Sequence, residues 1–152
     1  MKTVVFAGTF DPFTAGHLEI TEKAALLFDK VVVAVAEKSK SGVSAGKRAE
    51  IARLSVSDIK NASVEIFDGF LTDYMKNSGY VALIRGIRNV VDFDYEKNLK
   101  AVYEDMYPEI SIAYIFSSAE KEHISSSLVR EILSLNGDAS EYMRSVGNRT
   151  VM

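Results

Sequence analysis

Apolar residues cluster in five short runs rich in β-branched side chains, at Thr3–Phe6, Lys30–Val35, Ser63–Phe67, Val81–Ile84 and Ser111–Phe116. Continuous apolar runs of this length suit strands covered on both faces. Between and after them, Leu18–Phe28, Lys47–Asp58, Leu71–Asn77, Phe93–Tyr107 and Ser126–Leu135 carry apolar residues at helical spacing. The alternation predicts βαβ units around a parallel sheet. Right-handed crossovers then bring every strand's carboxyl end, and with it the ligand crevice, to one edge. The expected fold is α/β: a Rossmann-like, doubly wound, five-stranded parallel sheet with helices on both faces, in a single domain over 1–152. A helical tail is expected over about 137–152, with a short helix at Asp138–Met143.

Length and composition agree with this picture. A chain of 152 residues with 47% hydrophobic and 26% charged residues fits one domain with a substantial core. There is no cysteine, which removes disulfides and thiolate metal sites, and two histidines are too few for a His-rich structural site. A net charge of −3 argues against a broad basic face for nucleic acid, so an anionic ligand must find its positive partners locally. No apolar stretch approaches the roughly 20 residues that cross a membrane. The run Val4–Gly8 is too short for a signal-peptide core. These features are compatible with a cytoplasmic location.

Candidate chemistry concentrates at strand ends. After the first strand stands Gly8-Thr9-Phe10-Asp11-Pro12-Phe13-Thr14-Ala15-Gly16-His17. Gly8 lets the backbone approach a phosphate closely, and Thr9 offers an N–H and a hydroxyl. His17 lies at or near a helix start, where unpaired N–H groups and the dipole favour anions. An imidazole there can donate to charge growing on a phosphoryl oxygen; a Gly-His pair alone is better read as a capped βα turn with an incidental histidine, and it is the whole string that points to chemistry. At the fourth strand, Leu83-Ile84-Arg85-Gly86-Ile87-Arg88 sets two arginines three apart, able to converge on one polyphosphate if a helix begins there. After the fifth strand, His123-Ile124-Ser125-Ser126-Ser127-Leu128-Val129-Arg130 opens a helix whose serines can cap it and present hydroxyls and N–H groups to an anion. Arg130, one turn in, acts either on phosphate or on a helical neighbour. Lys38–Gly46 reads as a mobile loop in which Lys38 or Lys40 is placed to close over a phosphate.

The ten-residue string resembles the signature of the nucleotidyltransferase superfamily that carries H-x-G-H or T-x-G-H, with Thr14 in the first histidine's place. Ile124-Ser125-Ser126-Ser127-Leu128-Val129-Arg130 resembles the I-S-S-S-x-x-[RK] element of the same superfamily. Arg85-Gly86-Ile87-Arg88, followed by Asp92-Phe93-Asp94-Tyr95-Glu96, is similar to the distinctive strings of phosphopantetheine adenylyltransferases, as is Gly69-Phe70-Leu71-Thr72-Asp73-Tyr74. The resemblance implies transfer of AMP from ATP to 4′-phosphopantetheine, giving dephospho-coenzyme A and pyrophosphate. It implies catalytic roles for His17, Lys40, Thr9 and Arg88. It places Thr9, Phe10, His17, Gly86, Ile87, Arg88 and Glu96 at ATP, together with Lys121, Glu122, His123, Ile124 and Ser125–Ser127. The acceptor falls to Thr9, Lys40, Leu71, Thr72 and Arg85. Mg2+ is implied as cofactor, held mainly by ATP oxygens, and a homo-hexamer as the assembly. The chain departs from the family pattern at Ser41-Gly42, where a proline-containing segment is usual, and at Ala45-Gly46, which replaces Leu-Glu; Lys38 and Lys40 therefore both stay open. Two other readings of the crevice are a sister adenylyl- or cytidylyltransferase with another acceptor, and a non-catalytic nucleotide-binding regulator.

Overall fold

The computed structural model describes residues 1–143, together with the backbone of 145–146 and 149–150. Strands and helices alternate: β1 (Thr3–Gly8), α1 (Ala15–Leu27), β2 (Lys30–Ala36), α2 (Ala45–Ser55), β3 (Ala62–Phe67), α3 (Leu71–Ser78), β4 (Ala82–Ile87), α4 (Val90–Met106), β5 (Ser111–Phe116) and α5 (Ser126–Ser134). The five strands pair in parallel in the order β3-β2-β1-β4-β5, the expected doubly wound sheet.

Burial explains the unbroken apolar runs. Val4, Val5, Val31–Val35, Leu83 and Ile84 are wholly buried, and successive side chains enter opposite layers, as a strand's period of two requires. Val4, Phe6, Val31 and Val33 pack with Ile20 and Ala24 of α1, Ala49 and Ala52 of α2, and Val129 of α5. Val5, Ala7, Val32 and Ala34 pack on the other face with Leu71 and Met75 of α3, and with Tyr107 and Ile110. Helices thus cover both faces.

Several boundaries differ from the sequence reading by a few residues, and at three of them near the strand ends the local reason is plain. α1 begins at Ala15, ahead of the expected Leu18, because Thr14 caps it. α4 begins at Val90 because Asn89 caps it, its Oδ1 accepting from the Asp92 N–H at 2.9 Å. β4 continues through Ile87, with Arg85 and Gly86 paired to Tyr114 and Ile115. No helix therefore begins between Arg85 and Arg88. Glycine at 86 allows this strand to approach α1, since a Cβ there would lie 3.3 Å from Ile20 Cγ1.

The expected helix at Asp138–Met143 is a 3-10 turn at Ser140–Tyr142. α5 stops because Asn136 takes a left-handed φ of 58° and the Gly137 N–H turns back to the Ile132 carbonyl at 2.8 Å. Within the rest of the expected helical tail over 137–152, Ser145–Val146 pairs antiparallel with Arg149–Thr150. Strand pairing takes the place of helix there. Residues 144, 147, 148, 151 and 152 of that tail lie outside the described residues.

Leu83→Ala, at the centre of the sheet, is expected to lower folding stability by about 2–5 kcal/mol. Urea unfolding checks this through a lower midpoint with an unchanged slope.

Candidate active site

The order of the sheet reverses between β1 and β4, and a cavity of about 590 Å3 opens at the carboxyl ends of those strands. That size and place suit a small-molecule site in an open α/β sheet. A second pocket of about 370 Å3 adjoins it, sharing Ala36 and Phe67 and bordered by Lys38 and Asp68–Phe70.

His17 forms part of the cavity wall and is fixed by the start of its own helix. The Thr14 side chain accepts from the His17 N–H at 3.3 Å, while the Thr14 N–H donates to His17 Nδ1 at 3.0 Å. This reciprocal pairing caps α1. Because Nδ1 accepts, the neutral ring carries its hydrogen on Nε2, which is left as a donor. Phe10 and Phe13 pack their rings 4.9 and 5.3 Å from the imidazole. Burial, with a smaller push from the Arg88 charge, lowers the His17 pKa to about 4. The ring is therefore an uncharged hydrogen-bond donor at neutral pH.

A second helix start faces the first. Ser125 caps α5 through the Leu128 N–H at 3.1 Å, and Ser126 Oγ donates to the Pro12 carbonyl at 2.8 Å, tying the two turns together. Ser126 has thereby used its hydroxyl hydrogen, whereas Ser125 Oγ, an acceptor at the cap, keeps its own; α5 offers an anion that O–H together with the backbone N–H groups of Ser126 and Ser127, which no helical carbonyl can reach. Gly16 of α1 lies against Ile124, where a Cβ would stand 3.7 Å from the Ile124 carbonyl oxygen. Two positive helix ends thus converge on one space.

Three arginines border that space. Arg85 makes a two-pronged pair with Glu96, Nε to Oε2 at 2.8 Å and Nη2 to Oε1 at 2.7 Å, and also donates to the Ala7 carbonyl at 3.2 Å. Burial alone would lower the Arg85 pKa, but the Glu96 carboxylate outweighs it and the net shift is upward. Arg88 pairs with Asp92 through Nε at 2.9 Å and Nη2 at 3.2 Å. Arg130 donates to the Asp11 carbonyl at 2.6 Å and to Ser127 Oγ at 3.2 Å, both neutral acceptors. It thus lines the cavity as well as touching a helical neighbour.

Two residues that the sequence left unremarked hold the mouth of the site together. Arg48 is wholly buried and donates only to carbonyls: Val43 at 2.9 Å, Thr9 at 2.6 Å, Ala36 at 2.7 Å and Glu37 at 2.8 Å. It joins the first turn to both ends of the loop after β2. The buried Asp11 carboxylate accepts from the hydroxyls of Ser39 and Ser41, on either side of Lys40. Between these anchors Phe10 takes a φ of 46°, a conformation costly for a residue with a bulky side chain.

The comparisons with known proteins agree with this geometry. The Cytidylyltransferase-like family model matches residues 5–132. A phosphopantetheine adenylyltransferase of Campylobacter concisus (strain 13826) is 42% identical over 141 residues, covering 91% of this chain and 90% of that protein. One of Shouchella clausii (strain KSM-K16) is 34% identical over 143 residues, covering 93% and 90%. The chain belongs to the cytidylyltransferase-like family, among its phosphopantetheine adenylyltransferases. A solved bifunctional NMN adenylyltransferase/ADP ribose pyrophosphatase from Francisella tularensis is similar in fold, with a TM-score of 0.74 at 18% identity over 95% of this chain. This chain spans about half of that protein, 46% of its length.

Against the residues expected from the adenylyltransferase resemblance, the cavity gathers Thr9, Phe10, His17, Leu71, Arg85 and Gly86. Arg88, Glu96, Ile124 and Ser125–Ser127 complete that set. Ile87 instead points into the core, at 2% exposure. Thr72 is buried behind Leu71, its hydroxyl without a hydrogen-bond partner. Lys121, Glu122 and His123 form a turn beside the site without lining it, His123 meeting Tyr142 edge-on. Lys40 is exposed and borders neither pocket, whereas Lys38 borders the smaller one.

In the ligand-free protein, the His17 ring is expected to titrate at about 4, with hydrogen on Nε2 above that pH; 15N–1H NMR of the imidazole checks both. The sign for stability follows. The unfolded chain takes up this proton near pH 6.5, while the folded chain resists it until about 4. The contribution of His17 is therefore complete above 6.5 and is lost as pH falls through that window. Asp11→Asn is expected to weaken the charged hydrogen bonds to Ser39 and Ser41. Faster amide exchange at Ser41 and Val43, whose N–H groups lean on those two hydroxyls, is the readout.

Proposed function

We infer that the chain is a pantetheine-phosphate adenylyltransferase, moving AMP from ATP onto 4′-phosphopantetheine and producing dephospho-coenzyme A and pyrophosphate. The observation that carries this reading is the His17 Nε2–H, neutral and fixed, beside two convergent helix starts and three arginines. Relatives at 34–42% identity over about nine-tenths of the chain bear that activity in their names.

The acceptor phosphate is already anionic at neutral pH, so the reaction needs no general base. Its oxygen attacks the α-phosphorus of ATP in line. A P–O bond forms there while the bond to the bridging oxygen breaks, and pyrophosphate leaves with the electron pair. Catalysis reduces to alignment and charge stabilisation. His17 donates to the α-phosphate oxygen on which charge grows. Thr9 and a loop lysine, Lys40 or its neighbour Lys38, meet the attacking phosphate; of the two, Lys38 borders the pocket at Phe67–Phe70. Arg88 and the first turn of α5 receive the β- and γ-phosphates. Arg85 orients the acceptor side from its pair with Glu96, and Leu71 lines the pantetheine arm.

Nucleotidyltransferases typically use a divalent metal, and Mg2+ fits this cavity as a passenger on the triphosphate. Among the described residues no group of three or more His, Cys, Asp or Glu gathers into a cage. The wall instead offers N–H and hydroxyl donors that match phosphate oxygens. Bound in that way, the ion would shield the triphosphate charge.

We take the assembly to be a homo-hexamer; the outer surface supports contact between copies, without fixing their number. α4 buries a single residue, Glu96, and exposes Val90, Val91, Phe93, Tyr95 and Val102, and Phe116 of the edge strand β5 is exposed as well. An apolar face of this extent suits contact between copies. Among the described residues no helix is long and apolar enough to cross a membrane, and we place the enzyme in the cytoplasm.

Pyrophosphate release, measured with ATP, Mg2+ and a choice of 4′-phosphopantetheine, nicotinate mononucleotide or glycerol 3-phosphate, tests the substrate. Turnover is expected with the first alone, and turnover only with another acceptor would refute the reading. His17→Ala is expected to lower kcat about 100- to 1000-fold, with the KM for ATP nearly unchanged. An undiminished kcat would remove His17 from the mechanism.

A further inference from the structure

The two arginines of β4 and its end are each met by a carboxylate from α4, but the two pairs are not alike. Asp92 and Glu96 are one helical turn apart and share a helix face. Glu96 and Arg85 are the more enclosed pair, with side chains 8% and 18% exposed, and Arg85 is further tied to the Ala7 carbonyl. Asp92 and Arg88 are more open, at 23% and 34%. Asp92 occupies the Nε and Nη2 donors of Arg88, and the Ile124 carbonyl takes an Nη1 hydrogen at 3.3 Å.

We propose that Asp92 is an intramolecular competitor of the polyphosphate for Arg88, holding the guanidinium in position while weakening the grip on ATP and pyrophosphate. This rests on the reading of Arg88 as a ligand of the β- and γ-phosphates. A phosphate that takes the two-pronged edge of Arg88 must displace Asp92. One that uses only the remaining Nη hydrogens sits with the Asp92 carboxylate close by, and like charges repel. Both routes cost affinity. Arg85 does not enter this exchange, because the Glu96 carboxylate that holds it is buried and the pair is the more enclosed of the two. Asp92 is thus a positioning residue whose charge hastens product departure. An enzyme that binds pyrophosphate through several cations at once gains from such a counterweight, since uniformly tighter binding would not raise kcat.

Asp92→Asn keeps an oxygen to accept from Arg88 and removes the charge. Titration calorimetry with pyrophosphate is expected to show binding tightened by about threefold or more. The gain should shrink as salt rises. In the assay, product inhibition by pyrophosphate should strengthen in step, and the KM for 4′-phosphopantetheine should stay unchanged. Unchanged or weaker pyrophosphate binding overturns the proposal, as does weakening seen only with Mg2+, which would make Asp92 a partner of the ion.

The Arg88→Ala variant separates the two layers of the argument. If it leaves pyrophosphate binding intact, the reading of Arg88 itself fails. If it weakens binding but Asp92→Asn in the Arg88 background gives no gain, only the competition fails. The unsubstituted enzyme gives a measurement that no folding defect can obscure. On addition of pyrophosphate the Arg88 Nε–H NMR signal should shift and that of Arg85 should not; a shift at Arg85 alone overturns the proposal.

Discussion

A parallel sheet covered on both faces has nowhere to place polar chemistry except its edges, and this constraint organises the whole molecule. The central strands are sealed by apolar side chains from two layers of helices. Strand ends and helix starts are therefore forced together at the carboxyl edge, where unpaired N–H groups and the ends of helix dipoles accumulate. The sequence then has only to add cations and a neutral donor to make a site for polyphosphate. Arginines at the end of β4 and in α5 supply the former, and His17 the latter.

Much of the fold was legible because its signal is physical burial. Val31–Val35 suits a strand buried on both sides, and the alternation with helices leaves few topologies. Boundaries were less legible where a single cap decides them, as at Thr14 and Asn89, which add a turn to the front of α1 and α4. The strand was misread at Arg85-Gly86 because charge and glycine both suggest a strand's end. Here the charge is balanced by Glu96 and the glycine answers the approach of Ile20.

The site was legible where several residues act in one local string, as in Thr14-Ala15-Gly16-His17 or Ser125-Ser126-Ser127. It was opaque where partners are distant in sequence. Nothing around Arg48 announces a guanidinium that serves four carbonyls, and Asp11 gives no sign of two serines about 30 residues on, at separations of 28 and 30. Which donors of the serine string stay free is set by partners outside it: Ser126 gives its hydroxyl hydrogen to the Pro12 carbonyl, whereas Ser125 Oγ accepts at the helix cap and keeps its own.

Arg48 has one more consequence, for how the loop after β2 can vary. Its guanidinium grips Ala36 and Glu37 at the loop's entry and Val43 at its exit, and the same group holds Thr9 in the phosphate turn. The loop is a handle with both roots set in one anchor. Changes at Lys38, Lys40 or Gly42 leave those roots in place, whereas Ser39 and Ser41 also hold Asp11 of the turn. A lysine at position 38, 40 or 42 can therefore be moved along the loop while the turn beneath it keeps its shape.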